Sequence, residues 1–175
     1  MFNDFNFETI YRERSVSTPL VVMMCGVAGS GKTTFSQQLE NNGFVRLSID
    51  EEIWATHGRY GIDFPMEKME EYKKEAESKL RNDLLKLIHD KQQVVIDFSF
   101  WDRARREQYK QLIEKSGGKW KLIYINVSPD DLRERLKIRN KCFDANAFPI
   151  TEELLDSYLK GFEIPDGEGE MVVEN

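Results

Sequence analysis

Eight consecutive residues combine three glycines with a lysine and a threonine at fixed spacing: Gly26-Val27-Ala28-Gly29-Ser30-Gly31-Lys32-Thr33. They match the pattern G-x-x-x-x-G-K-[ST] at every required position. The apolar run 20–25 predicts a buried strand before them, and a helix is predicted after them over 32–41. In this setting glycines let backbone N–H groups turn toward a polyphosphate, and the helix N-terminus favours its negative charge. The sequence therefore predicts a phosphate-binding loop that holds a nucleotide through these eight residues and Thr34.

Two side chains of this loop are expected to take part in chemistry. Lys32 is expected to reach the β- and γ-phosphates and to act catalytically, and the Thr33 hydroxyl to ligate a magnesium ion. Asp97 ends the predicted strand 94–97, where an acid commonly helps to hold that magnesium or its water. It is also expected to contact substrate. The alternative for Asp97 is a structural role at a strand end. The predicted cofactors are accordingly ATP and Mg²⁺.

An acidic group follows the second predicted strand, 44–48. Asp50 lies at the carboxyl end of that strand, the edge along which open α/β sheets bind ligands. A carboxylate there is able to accept the proton of an attacking hydroxyl, so Asp50 is predicted to be catalytic and to contact substrate. Glu51 and Glu52 compete for this role. Alternatively, all three acids simply occupy the first turn of a helix, where its dipole favours them.

Arginines are candidates for stabilising a transferred phosphoryl group, over which negative charge spreads. Arg139 is the leading candidate and Arg135 the second, because they lie four residues apart on one helix face beside the loop 140–150. A charged helix of this kind would be solvated in any case. Arg103 opens the helix after Asp97 together with two further arginines, a position that is unfavourable for cations unless they face an anionic ligand.

Further substrate contacts are predicted in two loops. Arg59 lies in the turn-rich segment 57–65, and Trp101 follows the third strand. Trp101 could form an aromatic wall for a ring-bearing substrate with Trp54, Tyr60 and Phe64. These four aromatic residues could equally belong to the core, which is the commoner outcome.

Strands and helices alternate from residue 20 onward, which predicts a parallel five-stranded sheet with helices on both faces. A long amphipathic helix is predicted over about 66–90, with Met66, Met69, Tyr72, Ala76, Leu80, Leu84 and Leu87 on its buried face. Residues 1–18 are expected to be an extension that packs on the domain surface or contacts a partner. Residues 19–175 are expected to form one α/β domain, with a small lid at about 139–150.

Composition and charge disfavour some classes of protein, although they leave room for a local basic cleft that binds nucleic acid. The chain has 175 residues and a net charge of −6, which does not suggest a surface built for nucleic acid. Its two cysteines show no metal spacing, and no signal peptide or membrane span is evident, so a cytoplasmic location is expected. The oligomeric state is not predicted.

Together the phosphate loop, the two acids after strands two and three and the arginines near 135 and 139 resemble the small P-loop kinases of the AAA_33 type. That group includes phage polynucleotide kinase, zeta toxin, chloramphenicol phosphotransferase and gluconate-kinase-like enzymes. The resemblance covers about residues 20–173. It implies a P-loop NTPase fold in three layers, Asp50 as general base, and lid arginines on the ATP phosphates. Polynucleotide kinases usually carry an arginine three residues after the base, where this chain has Ile53.

Four functions follow from these observations. The first is transfer of the ATP γ-phosphate to a hydroxyl of a small molecule: a nucleoside, sugar or antibiotic. A polynucleotide 5′-hydroxyl kinase is the second, disfavoured by Ile53 and the acidic charge. The third is a regulatory ATPase or nucleotide-dependent switch, and the fourth is a toxin kinase acting on a nucleotide sugar. A GTPase is disfavoured because the nearest match to N-K-x-D, residues 140–144, has one residue too many.

Overall fold

The computed structural model describes residues 2–141 and 150–175. Five strands and seven α-helices alternate along these residues, as the sequence predicts, with a short 3₁₀ helix at Met66–Lys68. The strands are β1 (Leu20–Cys25), β2 (Val45–Ser48), β3 (Val94–Asp97), β4 (Lys119–Asn126) and β5 (Glu170–Glu174). The helices are α1 (Asp4–Arg12), α2 (Lys32–Glu40), α3 (Ile49–His57), α4 (Met69–His89), α5 (Arg103–Lys115), α6 (Pro129–Arg139) and α7 (Glu152–Gly161).

All five strands are parallel and follow the order β2-β3-β1-β4-β5. The predicted five-stranded parallel sheet is therefore confirmed. Strand β1 lies in the middle, with β3 on one side and β4 on the other, so the chain that leaves β1 emerges where the strand order reverses. In α/β sheets of this kind, ligands bind at such a switch point, beyond the carboxyl ends of the strands.

Helices cover both faces of the sheet. The strands of a parallel sheet are apolar on both faces, so both faces must be shielded from water. All six residues of β1 are buried, and their alternation divides them between two cores. Val21 and Met23 face a large core formed with α4, α5, α6 and α7. Val22 and Met24 face a second core formed with α1 and α2. The resulting three layers confirm the predicted sandwich.

Helix α4 buries most of the predicted apolar face. Ala76, Leu80, Leu84 and Ile88 are buried at steps of four residues, and Met69, Tyr72 and Leu87 are partly buried. Met66 differs, because the chain enters α4 through the 3₁₀ helix, which leaves this side chain 65% exposed. Its predicted place on the buried face is wrong.

The N-terminal segment forms helix α1, which Asn3 caps with its side chain. Phe7 and Ile10 are buried on it, and the Phe7 ring stacks on Phe35 of α2 at a centroid distance of 4.4 Å. This segment therefore packs on the domain. The predicted lid begins at Arg139, the last residue of α6, and its residues 142–149 lie outside the described part of the chain.

Candidate active site

The predicted phosphate loop connects β1 to the first turn of α2. Gly26, Gly29 and Gly31 have φ angles of 150°, 83° and 105°, which non-glycine residues rarely adopt. A Cβ on Gly26 would stand 2.7 Å from the buried Ser30 Oγ. Gly31 is the N-cap of α2 in a left-handed conformation, and no side chain caps this helix. The N-terminus of α2 is thus left to an outside anion.

Lys32 lies across this loop. Its Nζ donates a hydrogen bond to the Val27 carbonyl oxygen at 2.9 Å. Burial lowers the pKa of Lys32, while the charges of Asp97 and Asp50 oppose that shift. The ammonium group therefore contacts the loop and is subject to the charge of both carboxylates.

The remaining loop residues divide by exposure. Val27 and Ser30 are buried, whereas Ala28, Gly29 and Thr33 are partly buried. Thr34 is exposed at the start of α2. Among the described residues, the Thr33 hydroxyl forms no hydrogen bond with protein, so it is available to a ligand.

Neighbouring elements hold the loop in place. The Gly26 N–H donates to the Ser99 carbonyl at 3.2 Å. The Ser30 carbonyl accepts from Asn175 Nδ2 at 2.8 Å and from Arg135 Nη1 at 3.4 Å. Arg135 thus lies directly against the phosphate loop.

Asp50 is the acid of its helical turn that stays unpaired within the described residues. Ser48 caps α3, so the three acids do fill its first turn. Glu51, however, lies 3.6 Å from Arg46, and Glu52 forms an ion pair with Lys79 at 2.7 Å. Asp50 forms no hydrogen bond or ion pair with the described protein.

The electrostatics of Asp50 place it among the other predicted groups. The loss of water around the Asp50 carboxylate raises its pKa, and the charge of Asp97 raises it further. The residue nevertheless keeps an exposed surface that a substrate is able to reach. Lys32, Arg139 and, more weakly, Lys73 oppose this shift. The structure therefore brings Lys32, Asp50, Asp97 and Arg139 into one electrostatic cluster.

Arg46 is a member of the site that the sequence reasoning did not identify. Its Nε and Nη2 both donate to Asp97 Oδ2, at 3.1 and 2.8 Å, and both side chains are buried. Asp97 Oδ1 accepts no hydrogen bond from the described residues. One signal was present in the sequence: an arginine inside the apolar run 44–47 needs a buried acidic partner.

The donor set fits a magnesium ion that arrives with a nucleotide. The described residues contain no group of three acidic, histidine or cysteine side chains able to hold a metal by themselves. Mg²⁺ in phosphoryl-transfer sites takes only one or two protein oxygens and completes its shell with phosphates and water. Two such oxygens are present, the Thr33 hydroxyl and Asp97 Oδ1.

The arginines that open α5 have partners within the protein. Arg106 is fully buried and donates through Nε and Nη2 to the two Glu168 oxygens, each at 2.7 Å. Arg105 pairs with Glu77 at 2.7 Å. The expected anionic ligand is therefore not needed to explain this cluster. Arg103 is exposed and borders the same surface depression as Glu168, without contacting Asp50 or Lys32.

The predicted aromatic wall is not formed, because its members separate into two groups. Trp101 packs against Tyr158 of α7 at a centroid distance of 4.9 Å, and also against Phe162. Phe64 is buried between α3 and α4, with Tyr60 at its edge, 6.0 Å away. Arg59 lies in the exposed turn beside them, and its backbone N–H donates to Asp63.

Fold and site together define a P-loop nucleotide-binding domain of the kind found in small kinases. The chain belongs to the AAA domain family AAA_33, whose model matches residues 21–165. The suspected family is therefore confirmed. A search of curated protein sequences finds no match. Within residues 2–141 and 150–175, no helix is long and apolar enough to cross a bilayer.

Several solved structures share this fold. A protein of Chloroflexus aurantiacus, assigned only provisionally as a kinase, matches 91% of this chain over 87% of its own, with 20% identity and a TM-score of 0.73. A gluconokinase of Sinorhizobium meliloti matches 92% over 84%, with 22% identity and a TM-score of 0.55. The Pnkp1/Rnl/Hen1 RNA repair complex matches 87% of this chain over 49% of its own, with 16% identity and a TM-score of 0.61. At these identities the likeness concerns the fold.

Proposed function

We propose that this protein is an ATP-dependent phosphotransferase that moves the γ-phosphate to a hydroxyl group of a small molecule. The unpaired state of Asp50 carries this proposal. The two acids that follow it in the first turn of α3, Glu51 and Glu52, are engaged by cations, but Asp50 forms no ion pair with the described residues and lies near Lys32 and Asp97. An unpaired carboxylate whose pKa is raised by its surroundings and by a second carboxylate beside it is a candidate catalytic group.

In this reaction the acceptor oxygen attacks the γ-phosphorus, and the bond from that phosphorus to the β-γ bridging oxygen breaks. Asp50 accepts the proton of the acceptor hydroxyl, and ADP leaves with the bridging oxygen. Lys32 exchanges its bond to the Val27 carbonyl for the phosphates and neutralises charge there. Arg135 and Arg139, from α6, are proposed to stabilise the transferred group.

Magnesium, when bound with the nucleotide, would supply positive charge that offsets the charge of the phosphates. Thr33 and Asp97 would hold it. Arg46 fixes the Asp97 carboxylate through one oxygen and leaves the other to the ion or its water. The proposed cofactors are therefore ATP and Mg²⁺.

A small molecule is the acceptor that the site favours over a polynucleotide. Ile53, three residues after Asp50, is 5% exposed and packs in a cluster with Phe64 and Ala76. It neither carries charge nor reaches the surface, so this position does not hold a nucleic-acid phosphate. The likeness to a gluconokinase and to a sugar kinase of Janibacter supports the same class of acceptor.

The test is ADP release from ATP and magnesium with pooled acceptors: nucleosides, sugars, antibiotics, nucleotide sugars and 5′-hydroxyl oligonucleotides. Lys32→Ala and Asp50→Asn are run beside the wild type, with Glu52→Gln as a matched variant in the same helical turn. We expect one pool to stimulate release, both site variants to lose at least about a hundredfold in rate, and Glu52→Gln to remain active. Acceptor-independent turnover that survives Asp50→Asn would refute the kinase and favour a regulatory ATPase.

A further inference from the structure

The strand order determines on which side of the phosphate loop each half of a nucleotide must lie. Asp50 and Asp97 follow β2 and β3, which lie together on one side of β1. Strands β4 and β5 lie on the other side. This step rests on the proposed function: if the γ-phosphate faces Asp50, the nucleoside extends toward the ends of β4 and β5.

Two residues meet the phosphate loop on that second side. A Cβ built on Gly31 would stand 2.6 Å from Asn175 Nδ2 and 3.1 Å from Phe2 Cζ. Asn175 follows β5, and its backbone N–H donates to the carbonyl of Asn126, the last residue of β4. Phe2 precedes α1. Gly31 therefore admits both side chains against the loop because it has none of its own.

The two side chains are held from behind and remain partly open. The Phe2 ring packs edge-on against Phe35 at 5.0 Å and against Phe7 at 6.4 Å, yet the residue is not buried. The amide nitrogen of Asn175 is used on the Ser30 carbonyl, while its Oδ1 accepts no hydrogen bond from the described residues. Thr34, the adjacent loop residue, is exposed.

We propose that Phe2 and Asn175 bind the base of the nucleotide donor. The Phe2 ring offers an aromatic surface against which a base stacks, and Asn175 Oδ1 accepts a hydrogen bond from an exocyclic amine of that base. The segment that carries Phe2 lies outside residues 21–165, the part matched by the family model. The N-terminal segment thus has a role in nucleotide binding, through Phe2, besides covering α2 through helix α1.

The experiment compares ligands with and without a base. Dissociation constants for Mg·ATP, Mg·ITP and magnesium tripolyphosphate are measured by calorimetry on the full chain. Phe2→Ala is compared with Phe5→Ala, whose side chain lies on the same segment but is 64% exposed. Asn175→Ala is measured in parallel. ITP lacks the exocyclic amine, and tripolyphosphate lacks the nucleoside.

We expect Phe2→Ala to weaken ATP binding about tenfold and to leave tripolyphosphate binding unchanged. Phe5→Ala should change neither. The wild type should prefer ATP to ITP, and Asn175→Ala should abolish that preference.

Other outcomes would overturn either this inference or the proposed function on which it rests. Equal losses for ATP and tripolyphosphate in Phe2→Ala would show a structural effect on the loop and overturn the inference, as would unchanged ATP binding. A wild type that binds neither ATP nor tripolyphosphate would instead refute the proposed function.

Discussion

Replacement of Arg46 by methionine tests how tightly the site holds Asp97. The two side chains are 7% and 3% exposed and share hydrogen bonds of 2.8 and 3.1 Å. Removing one partner of a buried pair leaves an uncompensated charge, which costs about 3–5 kcal/mol. For a protein of this size, each kcal/mol lowers Tm by about 2–4 °C, so Arg46→Met should lower Tm by roughly 6–20 °C. Methionine keeps the length of the aliphatic stem, so little of this loss comes from packing.

Urea unfolding measures the loss directly. The matched control is Arg12→Met, because the Arg12–Glu8 pair is 76% and 60% exposed and should contribute no more than about 0.5 kcal/mol. A double-mutant cycle with Asp97→Asn should give a coupling energy of about 1–3 kcal/mol. If Arg46→Met costs no more than Arg12→Met, or if the coupling energy is near zero, the argument for a buried pair that fixes Asp97 is refuted.

Four further predictions concern single groups. Asp50→Asn should stabilise the fold at neutral pH, because a raised native pKa opposes folding once the carboxylate ionises, although solvent at the exposed surface of Asp50 screens much of this effect. In urea titrations this gain should vanish below the ordinary pKa of 3.8. The rate of ADP release should fall as pH decreases through that raised pKa, at a higher pH than an exposed aspartate would give; a profile flat to about pH 4 would contradict this. Glu168→Gln should lower the free energy of unfolding by about 3–5 kcal/mol, since it leaves the buried Arg106 without a charged partner. Because the pair lowers the pKa of Glu168, its stabilising contribution is present above the ordinary glutamate range and is lost as the pH falls through the lowered pKa. Burial raises the pKa of Cys25 to about 12, so iodoacetamide should label this thiol only when urea unfolds the protein. The labelling is measured in a Cys142→Ser variant, and rapid labelling of the native protein would disprove the burial of Cys25.

The sequence predicts the layers of this fold because the spacing of apolar residues and the residues that end helices and strands are local features of the chain. The apolar run 20–25 and the stripe on α4 each require burial wherever they lie in the molecule. The order β2-β3-β1-β4-β5 is different, since it depends on which strands pair across the whole chain. The same limit explains Met66, whose spacing fits α4 but whose backbone belongs to the 3₁₀ helix before it.

The same distinction between local and tertiary information applies to the residues of the candidate site. The phosphate loop is contiguous, so its residue types are sufficient to locate it. Arg46 is close to Asp97 only because β2 pairs with β3, with Ser48 opposite Asp97 in the register. Arg106 finds its acid 62 residues later in the chain. Such partners are set by tertiary pairing, which spacing along one chain does not reveal.

The hydrogen bonds that surround the phosphate loop have a consequence for the thermodynamics of nucleotide binding. Ser99, Asn175 and Arg135 fix its backbone, and Lys32 already points across it to Val27. The loop thus loses its conformational entropy when the chain folds, and little remains to be lost when a ligand arrives. The free energy of nucleotide binding is then reduced little by the entropy cost of ordering the loop, because the loop is preorganised before the phosphates bind.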